Sequence, residues 1–485
     1  MKRLVSLLAP VLAPVLPIVL PIVLAGCSMA PPYQRPVAPV PAALPQGAAY
    51  PALQPGDGGI DAIGWHDFFP DARLQRVIAA ALAGNRDLRV SVANVAAARA
   101  QYRVARAAQL PTVTVTPAIS RYHGNASTGG YTGGDGNYTA PTSDAYGVAG
   151  GVAAFELDLW GRVRSLSRAA LETWLASDEG RKAAQTALIA QVATTWLTIG
   201  ADADALAVAR DTLDSRTATL TLARQREAQA VGTMLEVAQA EALVATARSD
   251  VAADQTAMAQ ATNALHLLVG GAIAADDLPS TLGNGEAVLA NLPVGLDSGV
   301  LLRRPDVLAA EHQLRAANAN IGAARAALFP TISLTGVLGL ASGSLGGLFD
   351  QGGVFSWGLA GSATQTLFDG GAREGNLAAA RAQHDAAVAR YEKAVQAAFS
   401  DVANALARRG TIDEQLAAQR DNVTAAQTAA AITDARYRTG VDTWLAALDA
   451  ARTAYAARQS LVATRLDRAT NMVTLYEVLG GGLKP

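Results

Sequence analysis

The sequence predicts a mostly α-helical chain with a membrane β-barrel portion, built from a strand-hairpin and long-helix unit that is written twice. Three observations predict it. Alanine supplies more than a fifth of the 485 residues, while aromatics make up 5% and charged residues 16%. Alanine is the best helix former and takes little room, so this composition favours long helices packed closely through small side chains. The second observation is a self-match: Asp87 to Thr116 aligns without gaps on Asp306 to Thr335, with about 11 of the 30 positions identical. Third, short segments after each helical stretch alternate aliphatic with hydroxyl or glycine residues, the period-2 mark of a strand with two different faces.

The N-terminus reads as an address. Met1-Lys2-Arg3 opens a charge-free apolar run to Leu24, and Leu24-Ala25-Gly26-Cys27 resembles the bacterial lipoprotein box. Residues 1–26 are therefore expected to be a lipoprotein signal peptide and Cys27 the lipidation site. An uncleaved anchor is disfavoured because Pro10, Pro14, Pro17 and Pro21 each remove a backbone donor from such a helix. Ser28 replaces the aspartate of an inner-membrane retention signal, which points to the outer membrane. Residues 27–65, rich in proline, alanine and glycine, read as a lipidated extended segment. One lipid chain anchors only marginally, so further attachment is expected.

The first structural repeat is placed at 66–285 and the second at 286–485. Each begins with a helical stretch, 71–109 or 305–328, stopped by Pro111 or Pro330. Strands follow at about 112–122 and 146–157, and at about 331–340 and 354–366, around glycine-rich loops. Helix pairs complete the repeats at about 161–269 and 370–479; residues 161–230 as one helix would span roughly 105 Å at 1.5 Å per residue. A soluble sheet would also explain the alternation. Export, the lipid box and aromatics near strand ends (Tyr146, Phe355, Trp357) favour a barrel with lipid outside and water inside. Four strands cannot close a barrel and an open edge is not tolerated in lipid, so several chains must assemble if that reading holds.

Other functions lack residues. Net charge is −2, so there is no basic field for nucleic acid. A single cysteine excludes an internal disulfide or a multi-cysteine zinc site. None of the five histidines forms HExxH, and neither GxxxxGK[ST] nor GxSxG occurs. No enzyme activity and no cofactor are expected, apart from the covalent lipid on Cys27.

Specific segments carry a closer likeness. Asn85-Arg86-Asp87-Leu88-Arg89, Glu156-Leu157-Asp158-Leu159-Trp160-Gly161-Arg162, Leu301-Leu302-Arg303-Arg304-Pro305-Asp306-Val307, Leu367-Phe368-Asp369-Gly370-Gly371 and Tyr437-Arg438-Thr439-Gly440-Val441-Asp442 all resemble the TolC-like outer-membrane factors, in their lipoprotein branch serving resistance-nodulation-division multidrug efflux. The resemblance runs from the lipid box to the C-terminus. It implies a homotrimer whose twelve strands close one barrel, continued by a periplasmic α-helical tunnel. It also implies a passive exit duct for drugs or other small toxic compounds, with a periplasmic adaptor and an inner-membrane pump as partners. Export for a type I protein-secretion system is the alternative, and a non-transporting coiled-coil lipoprotein a weaker one that leaves the amphipathic strands unused.

Two functional regions follow from the resemblance. Adaptor docking is implied at the turns of the helix pairs, Val231-Gly232-Thr233 and Arg438-Thr439-Gly440-Val441, although helix reversal alone explains the glycines. A periplasmic gate is implied at Leu445, Asp449 and Arg452, with Tyr437 and Asp442 close by. These three lie at i, i+4 and i+7 on one helical face. An ordinary surface Asp449–Arg452 pair explains the charges equally well. The repeat favours the gate, because the residues corresponding to the three in the first copy are Leu235, Gln239 and Ala242 and carry no charge.

Overall fold

The computed structural model describes residues 28–51, 63–123, 142–283, 298–350 and 353–481. The signal peptide and Cys27 lie outside them. The helices are α1 (Trp65–Phe68), α2 (Ala72–Gly84), α3 (Arg86–Ala107), α4 (Arg162–Ala228), α5 (Met234–Val269), α6 (Pro305–Ala326), α7 (Ala372–Arg438) and α8 (Trp444–Val478). The strands are β1 (Val113–His123), β2 (Thr142–Glu156), β3 (Thr331–Ser342) and β4 (Val354–Thr364). The chain is mostly helical; α4 and α7 have 67 residues each, about 100 Å at 1.5 Å per residue. Among the described residues no helix is long and apolar enough to cross a membrane. The described chain falls into two compact units, each drawing on both halves of the sequence.

The first unit holds the sheet. Its order is β1-β2-β3-β4 with every pair antiparallel, so the two hairpins join through β2 and β3. Paired residues share a face. Val115 faces Gly150, Tyr146 faces Ile119 and Ser342, and Leu338 faces Trp357. One continuous side therefore carries Val113, Val115, Ile119, Val148, Leu338, Leu340, Phe355, Trp357 and Leu359. The other carries Thr114, Thr116, Gly147, Gly151, Thr335, Gly339, Ser356 and Ser362. The apolar side is bare: Val115 is 70% exposed and Trp357 75%. A bulge separates Val152 from Phe155 in β2, where Ala154 takes φ 49° and donates its N–H to Thr335 Oγ1 at 3.0 Å. Each edge strand, β1 and β4, pairs with one neighbour only among the described residues.

The long helices start on parallel devices in the two halves. The Asp158 carboxylate accepts the Val163 and Arg164 N–H groups after Gly161 at φ 74°, and Asp369 accepts those of Gly371 and Arg373 around Gly370 at φ 65°. Trp160 stacks on Phe329 at 4.9 Å and donates its indole N–H to the Pro330 carbonyl. The first residues after the lipid box lie along α6. Asn318 donates to the Pro31 carbonyl and Arg325 to that of Met29, and Arg315 sits over the Tyr33 ring.

The second unit carries most of the buried apolar core. Phe68, Phe69, Leu74, Ile78, Ile189, Leu197, Leu265, Leu301, Tyr391 and Tyr476 are almost wholly enclosed, and Phe68 stacks on Tyr476 at 4.0 Å. The helical stretch expected over 71–109 is corrected here: it is two helices, parted at Asn85. The Asn85 side chain accepts the Leu88 N–H and donates to the Leu268 carbonyl, so it caps one helix while tying it to the end of α5. Further along, Leu220, Ala223, Val237, Ala240 and Val244 of α4 and α5 pack with Tyr437, Trp444 and Ala447 of the other pair. Alanine makes that approach possible because it adds only a methyl group at each crossing.

Candidate functional site

The two helix turns close in the same way, 210 residues apart. In the first, the Ala230 N–H bonds the Glu227 carbonyl and the Val231 N–H bonds that of Arg226. In the second, the Gly440 N–H bonds the Tyr437 carbonyl and the Val441 N–H bonds that of Arg436. These are Schellman motifs, whose turning residue must be left-handed. Gly440 does this at φ 75°, but its counterpart is Ala230 at φ 57°. The expectation that Gly232 makes the first reversal is thus corrected. Gly232 answers a different demand, since a Cβ there would lie 3.0 Å from Arg226 Cβ and 3.1 Å from the Glu227 nitrogen. Left-handed backbone costs a residue with a Cβ about 1–2 kcal/mol. Ala230→Gly should accordingly stabilise the turn by about 1 kcal/mol, read as a raised thermal transition; an unchanged or lowered one would contradict this geometry.

Both turns hand over to capped helices. Thr233 accepts the Glu236 N–H and Glu236 reaches back to the Thr233 N–H, forming a capping box, while Thr443 accepts the Ala446 N–H. Asp442 takes the position matching Gly232, and its carboxylate lies 2.6 Å from Arg436. The hydrogen-bonded guanidinium holds the Asp442 carboxyl below its usual range. The turn surface is apolar and open, with Val231, Met234, Leu235, Val441 and Leu445 all exposed.

The structure separates the five expected gate residues into three places. Leu445, Asp449 and Arg452 lie on one open face of α8, and no ion pair joins Asp449 to Arg452 among the described residues. The ordinary surface pair that could have explained these charges is therefore not formed. Tyr437 does not share that face. It is 96% buried against Trp444 at 5.3 Å, with the Arg226 guanidinium 5.1 Å above its ring. Burial pushes its phenol upward, and its hydroxyl has no hydrogen-bond partner among the described residues. Asp442 is tied to Arg436 in the turn.

Sequence reasoning passed over several neighbours. Trp444 bridges the helix pairs by donating its indole N–H to Gln239 at 2.8 Å. Farther along, Tyr455 donates to Asp250 at 3.1 Å while Arg216 lies over its ring; burial and that carboxylate push the phenol up to about 12. Arg226 and Arg436 could have been found from the self-match, since each stands at the same place before its turn. The Arg303-Arg304-Pro305-Asp306 segment serves the scaffold. Arg304 pairs with Asp306 at 2.7 Å and donates to the Val478 carbonyl, binding the start of α6 to the end of α8.

Amphipathic strand hairpins followed by helices of about 100 Å, repeated within one chain, define a channel-forming outer-membrane protein class. The chain belongs to the outer membrane efflux protein family, matching it over residues 77–271 and 297–481. It is 43% identical over 461 residues to the toluene efflux pump outer membrane protein TtgC of Pseudomonas putida, covering 95% of this chain and 93% of that one. It is 40% identical over 459 residues to outer membrane protein OprJ of Pseudomonas aeruginosa, covering 95% and 94%. The solved open state of the MtrE outer membrane channel of Neisseria gonorrhoeae superposes with a TM-score of 0.83 at 38% identity, over 94% of this chain and 99% of that one. This protein is thus an outer-membrane efflux protein with the TolC-like fold.

Proposed function

We propose that three copies assemble into the passive outer-membrane exit duct of a tripartite efflux pump. The observation that carries this reading is the four-stranded sheet, with one mainly apolar face, one face mainly of small and hydroxyl residues, and two edges without partners among the described residues. In lipid those edges must be paired, and the edge strands of further copies supply the missing partners. Twelve strands from three chains make a closed barrel wide enough for a water-filled lumen. The long helix pairs continue it as a periplasmic tunnel. A periplasmic adaptor docks on the apolar turn surface around Val231 and Val441, and an inner-membrane pump powers export. Cys27 carries the lipid that holds each chain at the outer membrane.

The cargo is proposed to be small, largely apolar toxic compounds, which accords with the toluene and efflux names of the relatives. Detergent-extracted protein should migrate as a trimer that collapses to monomer on heating. Deleting the gene should increase susceptibility to drugs or solvents, with restoration by the full chain. A monomer before heating, or unchanged susceptibility in a strain lacking parallel pumps, would refute the duct.

A further inference from the structure

A cavity of about 330 Å³ opens in the first unit, lined by Ser28, Tyr102, Gln109, Arg164, Ser165, Ser167 and Arg168 among others, with no acidic side chain in its wall. Its donors are in surplus. Arg168 spends only its Nε on Glu172, leaving both terminal nitrogens without a protein partner among the described residues. Arg164 spends Nε and Nη2 on Asp158, leaving Nη1. Ser165 and Ser167, each 95% buried as residues, also line the cavity. Two guanidinium groups with several free N–H donors, two serine hydroxyls and the Gln109 amide form a site for a singly charged, oxygen-rich group. A bidentate phosphate oxygen pair suits arginine best.

Position selects the source. Ser28, in the cavity wall, is covalently next to Cys27, the expected lipid attachment. The α4 residues lining the cavity begin eight residues after β2 ends at Glu156. The stacked pairs Trp160–Phe329 and Tyr102–Trp174 belong to the same unit, and Arg99 lies 5.5 Å from the Trp174 ring centroid. Aromatic and arginine side chains of this kind suit the headgroup level of a bilayer.

We propose that this cavity seats the phosphodiester of a glycerophospholipid, so that each chain holds one bilayer lipid beside its own covalent anchor. Asp158 and Glu172 each neutralise one of the two arginines, and His312 shares Glu172 at 2.7 Å, so the pocket carries little net charge and recognises phosphate through its remaining N–H and O–H donors.

The proposal rests on the outer-membrane placement, which membrane fractionation and the heat-collapsible trimer test separately. The full-length trimer, released into mild detergent, is examined by native mass spectrometry with phosphatidylglycerol, with diacylglycerol, and with inorganic phosphate. Phosphatidylglycerol should bind up to one per chain, and diacylglycerol, lacking the phosphate, should not. Arg168→Gln should weaken retention roughly tenfold, the scale of one charge-assisted hydrogen bond. The double variant Ser165→Ala/Ser167→Ala should weaken it as well, and it keeps the Arg168–Glu172 pair intact should the first variant fold poorly. Cys27→Ser should leave retention unchanged. A trimer that binds both lipids equally, is unaffected by either variant, or loses its lipid to millimolar inorganic phosphate would overturn the assignment. So would a lipid-free cavity covered by a neighbouring chain.

Discussion

Replacing Asp449 and Arg452 together by alanine is expected to raise the open population of the channel about tenfold. It should be seen as higher single-channel conductance in planar bilayers and as leakage of large antibiotics into cells. Both side chains are open to solvent on one face of α8 and neither pairs with the other. In the proposed trimer three-fold symmetry would turn each into a ring of three, where the charges of one chain would meet their complements on the next. Exposed ion pairs contribute about 0.2–1 kcal/mol each. Three of them sum to about 0.6–3 kcal/mol per trimer, a range that contains the roughly 1.4 kcal/mol of a tenfold change in an equilibrium. High salt should reproduce part of the effect in the unaltered protein by screening the same charges. Leu445→Ala should add to the leak, because the proposed trimer would otherwise close an apolar ring of this residue that excludes water. Identical conductance for the unaltered and doubly substituted channels would remove α8 from the gate. Tyr437→Phe, by contrast, should leave conductance near its original value, because the ring is packed within the helix pairs and its hydroxyl has no partner to lose.

Gly270→Ala is expected to cost about 3 kcal/mol or more and to lower the thermal transition of the helical part. Gly270 caps α5 at φ 73°, and a Cβ there would lie 2.4 Å from the Gly84 carbonyl oxygen. From the opposite side, a Cβ on Gly84 would lie 2.4 Å from the Val269 carbonyl oxygen. Backbone meets backbone at this point, so no rotamer change can relieve the crowding. The cost adds the left-handed penalty of about 1–2 kcal/mol to an overpacking cost of about 1–3 kcal/mol. Two controls separate the contributions. Gly283→Ala, at φ 63° with nothing near, should show the conformational penalty alone, and Gly271→Ala, in open space without positive φ, should be close to neutral. If all three variants melted together, the close approach of the two glycines would be wrong.

Much of this protein is legible in the chain because its signals are local. Period-2 alternation at Thr112–Thr116 and Thr331–Thr335, proline stops and alanine-rich stretches act within a few residues of themselves. The repeat doubles each signal, so Arg226 can be matched to Arg436 and Thr233 to Thr443 by alignment alone. The helix break is different, because it depends on a distant neighbour. The break at Asn85 is set by the Leu268 carbonyl, 183 residues away. The left-handed residue of the first turn, Ala230 and not the nearby glycine, is by contrast set locally, by the bonds to the Arg226 and Glu227 carbonyls that end α4.

The same division holds for the gate. Leu445, Asp449 and Arg452 share a face by helical spacing, which sequence alone determines through 3.6 residues per turn. Whether that face is open, and whether its charges find partners within the chain, depended on how α8 packs against α4, α5 and α7. The burial of Tyr437 comes from the same source. Periodicity sets which side chains travel together, whereas exposure and hydrogen-bond satisfaction depend on what segments far away in the chain bring to meet them.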